Sequence, residues 1–381
     1  MVSANSISSI TETELIAGLI SNALKRGHSF CLWKSPAINE KFLLITREIL
    51  LEKEINLEGS HSGFVFAPFD PTHQKVIFVA DMLYKFRDGN LIEGSLPKDF
   101  QSSGLQKEAF YFQQHTLAKP IDYESLVKEC ILKIESGVFE KVVPSRFEDV
   151  PCHSNIDLIG AFNKLCSQHP QAFVSFVSSP QTGTWMGATP ELLVSVSQNK
   201  FKTIALAGTL PYTPDINLKT VAWTQKEIEE QALVSRYIIS CFKKIRLREY
   251  EEHGPKTIVA GNVMHLKTEF EVDMQATNFP QLGSVMLKLL HPTSAVCGMP
   301  LEPALEFLQL QEGYPRQFYS GYLGPVNIQG QSCIYVNLRC MQFLTDRLRF
   351  YAGAGVTIDS IPREEFTETA MKMDNLKKLF N

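Results

Sequence analysis

Several patterns are missing from this sequence, and each absence removes a class of function. No apolar run reaches the roughly 20 residues needed to cross a bilayer, so no membrane partner is expected. The opening stretch MVSANSISSITETEL has neither a basic region nor a long apolar core. No signal peptide is read there, and a cytoplasmic location is expected. There is no basic tail or block, and the net charge is −4. That argues against nucleic acid as a partner. The eight cysteines form no CxxC, and most lie in apolar runs. Buried free thiols in a reducing compartment are expected, and a zinc site is not. No GxGxxG follows a strand pattern, and there is no Walker loop, HExxH or GxSxG. Internal repeats, linkers and low-complexity tracts are absent too.

What is present is an ordinary globular composition. Of 381 residues, 44% are apolar and 20% charged, enough for a sizeable core. Helical periodicity predicts a first helix from Glu12 to about Lys25. Asp122 is a candidate N-cap for a helix ended by Gly137, and Thr224 opens a long helix. Shorter helices are expected near Leu158–Leu165, Leu282–Leu290 and Pro303–Leu310, with a last one from Glu365 to Leu379. Alternating patterns predict strands at FCLWK, GFVFAPF, KVIFVAD and AFVSFVS. Four longer extended stretches follow: TWMGATPELLVSVS, FKTIALAGTL, SCIYVNLRCMQF and RLRFYAGAGV. TIVAGNVMHLKTEFEV reads as a strand pair. FEKVVPSRFEDV looks extended, and Pro144 favours an edge. The segment from Lys85 to about Ser103 reads as loop. Alternating strands suggest antiparallel sheets with one covered face, and helices in ones and twos argue against a doubly wound sheet or barrel.

The chain is organised around Tyr351 to Met373. Gly353 and Gly355 let backbone lie against a ligand. A helical pattern after them carries Glu365, Glu368 and Lys372 on one face. The trio suits a solvated face, and it also suits a metal-bound small anion. Lys141, Glu191, His265 and Arg339 are polar groups set in apolar strands. Taken singly, each is more often a paired structural residue than a catalyst. Glu227 and Glu230 lie three apart on the long helix.

Taken together, these stretches resemble one family. KVVPSR from Lys141, GATPELL from Gly187, LAGT from Leu206, KEIEEQ from Lys226 and AGAG through Lys372 stand in the order found in the chorismate-utilising enzymes. HLKT from His265, HPTSAVCG from His291 and YSGYLG from Tyr319 also fit. That family includes isochorismate synthase, anthranilate synthase component I, aminodeoxychorismate synthase and salicylate synthase. The resemblance implies a chorismate-binding α+β fold with two large, stacked, mostly antiparallel sheets and outer helices. It implies one intertwined domain over 1–381, with a variable N-terminal scaffold part, 1–120, and a motif-bearing part, 121–381. It assigns Glu230 and Glu368 to Mg²⁺, with Glu227 and Glu365 as water-mediated supports. Arg339 and Lys372 would receive the substrate carboxylates, Gly208 and Gly353 would line the cavity, and His265 would stand near the ring.

The nucleophile separates the members. Lys141 matches the family's water-activating lysine, and Glu191 its general acid. Anthranilate-type enzymes usually have Gln at the place of Lys141, and aminodeoxychorismate synthases usually have Lys where Ala207 stands here. The resemblance is therefore closest to isochorismate synthase: Mg²⁺-dependent water attack at C2 of chorismate with loss of the C4 hydroxyl. Salicylate synthase, which goes on to eliminate pyruvate, is the alternative, and a non-catalytic chorismate-binding relative is a further one. No glutamine amidotransferase subunit is expected, and the family precedent is a monomer or weak homodimer. Isochorismate feeds menaquinone, siderophores and salicylate. Three positions depart from the family pattern: Pro144 for Leu, Glu227 for Asp, and Gln231 for His. The last removes a group that could orient a metal ligand.

Overall fold

Alternation along the strands builds the molecule in four layers. The computed structural model describes residues 10–59, 61–97, 100, 110–113, 122–152, 156–260 and 263–380. The first part contains α1 (Glu12–Lys25), β1 (Ser29–Lys34), β2 (Glu40–Thr46), β3 (Ile49–Glu52), β4 (Gly63–Ala67), β5 (Lys75–Val79), β6 (Met82–Arg87) and β7 (Asn90–Glu93). Next come α2 (Tyr123–Glu135), β8 (Lys141–Val142), β9 (Ser145–Pro151), α3 (Leu158–Gln168), β10 (Phe173–Ser179), β11 (Gly183–Thr189), β12 (Leu192–Ser197) and β13 (Lys200–Pro211). Then follow α4 (Gln225–Lys244), β14 (Glu251–Ala260), β15 (Val263–Asp273), α5 (Leu282–Leu290), β16 (Gly298–Met299) and α6 (Leu301–Gln311). The chain closes with β17 (Tyr322–Val326), β18 (Gln331–Val336), β19 (Cys340–Phe343), β20 (Arg347–Gly353) and α7 (Pro362–Lys377).

Two sheets of nine strands each carry the fold, as the sequence implied. The first runs β7-β6-β2-β1-β10-β11-β19-β20-β9, the second β14-β15-β13-β12-β18-β17-β4-β5-β3. In β1, Cys31 and Trp33 point to the inter-sheet core, while Phe30 and Leu32 face α1 and α3. In β4, Phe64 and Phe66 point inward, while Val65 and Ala67 face the helices on the other side. Period two thus gives each strand two apolar faces. Across the sheets, Phe173 stacks on Tyr335 with ring centroids 4.3 Å apart. Helices α1, α3 and the end of α7 cover the first sheet, and α2, α4, α5 and α6 the second. The N-terminal strands are woven into both sheets.

The helix starts follow their caps. Thr11 and Glu14 form a capping box for α1, Asp122 caps α2, and Thr224 with Glu227 caps α4. Helix α7 begins at Pro362, three residues before the sequence expectation, because proline needs no donor at the first helical position. Three extended readings are corrected. The Lys85 region is no loop at its start, because β6 and β7 pair as a hairpin. Residues 98–99 and 101–103 of that stretch, and 1–9 of the opening stretch, lie outside the described residues. TWMGATPELLVSVS and SCIYVNLRCMQF are each two strands, one in each sheet. β2 and β3 had no counterpart in the sequence reading. Pro144 does lie before an edge strand, since β9 ends the first sheet.

A buried ion pair locks the strand that carries Lys141. Arg316 and Glu312 are 4% and 2% exposed. Arg316 Nε donates to Glu312 Oε2 at 2.7 Å, Nη1 to Val296 O and Nη2 to Val143 O, both at 2.7 Å. Glu312 Oε1 also accepts from Ser145 N–H at 2.7 Å and from its hydroxyl at 2.9 Å. The pair therefore joins three segments around β8. Arg316→Met would leave Glu312 buried without a counter-ion, a loss of about 3–5 kcal/mol. Urea unfolding should show a much lower midpoint, and an unchanged midpoint would remove the pair from the account of the fold.

Candidate active site

The site lies where the chain passes from one sheet to the other. Pro190 and Glu191 join β11 of the first sheet to β12 of the second. Asn337, Leu338 and Arg339 make the return passage from β18 to β19. The two passages are neighbours: Val336 N–H donates to Glu191 O at 2.9 Å, and Ala188 N–H to Arg339 O at 3.0 Å. Arg339 takes φ 46°, a left-handed conformation uncommon outside glycine. Among the described residues, neither the Arg339 guanidinium nor the Glu191 carboxyl has a hydrogen bond or ion pair.

Lys141 approaches from β8, which is paired with β16 and bridged to Val356. Its side chain is 3% exposed, and its Nζ donates to Glu230 Oε1 at 2.9 Å. A Cβ on Gly355 would stand 3.0 Å from Lys141 Cε, so the glycine leaves the channel for this side chain. Glu230 comes from the second turn of α4, and its Oε2 accepts the Gly208 N–H at 3.3 Å. Gly208 has φ +72°, which turns its two peptide groups to opposite tasks. Its carbonyl accepts from His265 Nδ1 at 2.9 Å. A carbonyl only accepts, so the His265 proton sits on Nδ1 and the buried Nε2, which has no partner among the described residues, is an acceptor. One hydrogen-bonded path therefore runs from His265 through Gly208 and Glu230 to Lys141.

The charges act on one another. Burial pushes the Glu191 carboxyl up to about 7, against the pull of Lys141, Arg339 and Lys372, and Glu230 adds to the rise. Burial also works to raise Glu230, but Lys141, the Gly208 amide and Lys372 outweigh it and hold that carboxyl below its usual range. Burial brings His265 down to about 4, with the Gly208 bond opposing, so the ring is neutral. Burial lowers the Arg339 guanidinium, opposed by Glu191.

Helix α7 supplies the far wall. Lys372 Nζ donates to Gly353 O at 2.9 Å and pairs with Glu368 Oε1 at 2.6 Å. Glu365 is buried, and burial with the nearby Glu368 charge raises its carboxyl, against the Ser360 hydrogen bond and Lys226 and Lys372. Glu227 turns to the N-terminus of its own helix, where Oε2 accepts the Thr224 N–H at 3.1 Å. No trio of His, Cys, Asp or Glu converges among the described residues. Glu230 and Glu368 each hold one ammonium, yet 36% and 45% of their side chains stay accessible. A small cavity adjoins Glu191, lined by Leu193, Val234, Tyr237 and Thr293 among others. It lies behind the charged cluster and contains neither Lys141 nor Arg339.

Gln231, noted in the sequence only for the His it replaces, reaches from α4 to the sheet. Sequence reasoning passed over Glu312 and Arg316, which fix β8. The Tyr319 hydroxyl lies 3.3 Å from where a Gly353 Cβ would stand. The YSGYLG run and the four-residue spacing of Glu312 and Arg316 were the available signals. Six of the eight cysteines, Cys31, Cys130, Cys166, Cys241, Cys297 and Cys340, are buried free thiols. Among the described residues no helix is long and apolar enough to cross a membrane.

Residues 90–381 match the family described as chorismate binding enzyme. Isochorismate synthase EntC of Escherichia coli (strain K12) is 25% identical over 318 residues, covering 82% of this chain and 79% of that protein. Isochorismate synthase DhbC of Bacillus subtilis (strain 168) is 28% identical over 294 residues, 74% of this chain and 73% of that protein. The solved structure of MenF, the menaquinone-specific isochorismate synthase from Escherichia coli, superposes with a TM-score of 0.74 at 18% identity. It covers 97% of this chain and 91% of that one, and supports the fold.

The electrostatics make a direct prediction for the free protein. Carbon-13 spectra of labelled glutamate, assigned with Glu191→Gln, should show one carboxyl titrating near 7. Lys141 is the first of the cations that pull Glu191 down, so Lys141→Met should move that midpoint to higher pH. A Glu191 midpoint at the ordinary glutamate value of about 4.3 would contradict the proposed burial.

Proposed function

The chain belongs to the chorismate-binding enzymes, and from that membership we propose that it converts chorismate to isochorismate. The observation that carries the reading is the convergence of Lys141 and Glu191 with Arg339 and Lys372 on one cluster. Water attack at C2 needs a group to take a proton, and loss of the C4 hydroxyl needs one to give a proton. Lys141, enclosed by Glu230, Gly355 and β16, must first give up its ammonium proton, and as the neutral amine it takes the proton of the attacking water at Nζ. Glu191 gives its proton to the departing oxygen at C4, and a carboxyl raised to about 7 still holds one near neutrality. The C2–O bond forms, the two ring double bonds each shift by one position and the C4–O bond breaks, so atoms and protons balance overall.

Chorismate is a dianion. Arg339, which has no ion pair among the described residues, and Lys372 are the groups assigned to its carboxylates. His265 offers an acceptor to a ring hydroxyl. The donor set also fits Mg²⁺, because carboxylate oxygens suit a hard ion that keeps several waters and takes one or two protein carboxylates. Glu230 and Glu368 would hold it, with Glu365 and Glu227 behind them, and its charge would offset that of the substrate. Ala207, buried beside Gly208, offers no amine to the ring.

Three outcomes check the reading. Purified protein with chorismate and Mg²⁺, without glutamine or ammonia, should yield isochorismate by chromatography. Salicylate with pyruvate would move the assignment to the eliminating relatives, and anthranilate formed only with ammonia would overturn it. Glu230→Gln and Glu368→Gln should each abolish activity at limiting Mg²⁺ while the fold remains, and full activity in either would contradict the ligation. Lys141→Ala and Glu191→Gln should lose forward and reverse kcat/KM by comparable factors, about 10²–10⁴ for a lost proton-transfer group. Chorismate affinity by calorimetry should change far less. Near-normal turnover of Lys141→Ala would make Lys141 structural and turn attention to His265.

A further inference from the structure

The first two turns of α4 carry Glu227 and Glu230, yet they have no apolar hold on the sheet. Lys226, Ile228 and Glu229 are exposed, and Glu227 and Glu230 are only partly buried. The buried residues of α4 begin at Gln231, and the first apolar one is Val234. Gln231 is 5% exposed, and its amide nitrogen spends both hydrogens. It donates to Thr268 Oγ1 on β15 at 2.6 Å and to Ser235 Oγ one turn along at 3.1 Å. Thr268 is 1% exposed and pairs through Ala205 to β13, the strand that continues to Gly208. The other tie of this helix end to the sheet is the longer Gly208 N–H bond to Glu230 itself.

We propose that Gln231 is a positioning residue: its bond to Thr268 fixes the α4 turn bearing Glu230, and so the site for a divalent cation. The proposal rests on the Mg²⁺ reading above. A side chain adjacent in sequence to Glu230, crossing to the sheet, sets where that carboxylate stands without touching the ion. Removing such a supporting partner typically weakens metal binding by about 10- to 100-fold. The bond is short and enclosed, so a single truncation also strands the Thr268 hydroxyl and costs stability. Removing both Gln231 and the Thr268 hydroxyl leaves only the Ser235 hydroxyl without its donor and should return most of that stability.

The test compares wild type, Gln231→Leu and Gln231→Leu with Thr268→Val. Mg²⁺ binding is measured by calorimetry without substrate, with Tm and amide hydrogen exchange alongside. The single variant should lose Tm, and the double should recover it. Both should bind Mg²⁺ about 10- to 100-fold more weakly, with faster exchange at 227–231 and unchanged protection at 234–242. Wild-type Mg²⁺ affinity and exchange in the double variant would overturn the proposal. If wild type itself gives no Mg²⁺ heat, the metal reading fails. Positioning is then decided by exchange at 227–231 and by kcat/KM, which stay at wild-type values if Gln231 only fills space.

Discussion

Glu191 and Arg339 share one enclosed region because the two backbone passages that carry them satisfy each other. A strand that leaves its sheet loses ladder partners, and a buried peptide group without a partner is costly. Here the passage after β11 and the passage before β19 exchange hydrogen bonds, through Val336 N–H to Glu191 O and Ala188 N–H to Arg339 O. That exchange lets one acid and one cation sit between two nine-stranded sheets. It also holds Arg339 at φ 46°, a conformation costing about 1–3 kcal/mol for an ordinary residue. The surrounding ladders fix it there, and the guanidinium is aimed by the backbone.

The remaining charges are arranged by pairing. Glu230 has Lys141, Glu368 has Lys372, and Glu312 has Arg316. Glu191 has no such partner, and its carboxyl is the one pushed up to about 7. The contrast follows from desolvation: a carboxylate with an ammonium at hydrogen-bond distance stays charged, and one that feels cations only at longer range holds its proton. The two carboxyls thereby acquire different chemical roles from the same residue type. Gly208 joins the halves, since its N–H supports the charge on Glu230 and its carbonyl keeps the His265 proton on Nδ1.

Much of this was legible because it is local. Helix starts show in Asp122, which caps with its own side chain, and in Thr224, whose N–H donates to Glu227. The family resemblance was legible because its motifs lie on the pieces that meet at the cluster. The sheet changes were not. In TWMGATPELLVSVS, alternation runs through Pro190 and Glu191 without a break, because both sides of the passage are buried strands. Nothing in one sequence says that the second strand belongs to another sheet. The β6–β7 hairpin was missed because β7 is short and exposed. Glu227 illustrates a different limit: the same carboxylate can cap its helix or face a ligand, and spacing alone does not separate the two. Gln231 was read by what it replaces, whereas its bonds to Thr268 and Ser235 depend on a strand 37 residues away.

The cluster divides its charges by depth, and the division bears on what can enter. Lys141 is 3% exposed and Arg339 is fixed by the sheet passage, whereas Glu230 and Glu368 keep 36% and 45% of their side chains accessible. An incoming anion reaches the enclosed Lys141 past the more accessible Glu230 carboxylate, which repels it, while Lys372 is about as accessible as Glu368. A dianion bound together with a divalent cation carries no net charge, so it meets no such barrier. The same partition explains why the two carboxylates come from the starts of two separate helices. Helix α4 brings Glu230 and helix α7 brings Glu368, so these two carboxylates are not neighbours on one helix. A single helix carrying both would place like charges one turn apart, with mutual repulsion raising one of them, as Glu368 already does to Glu365.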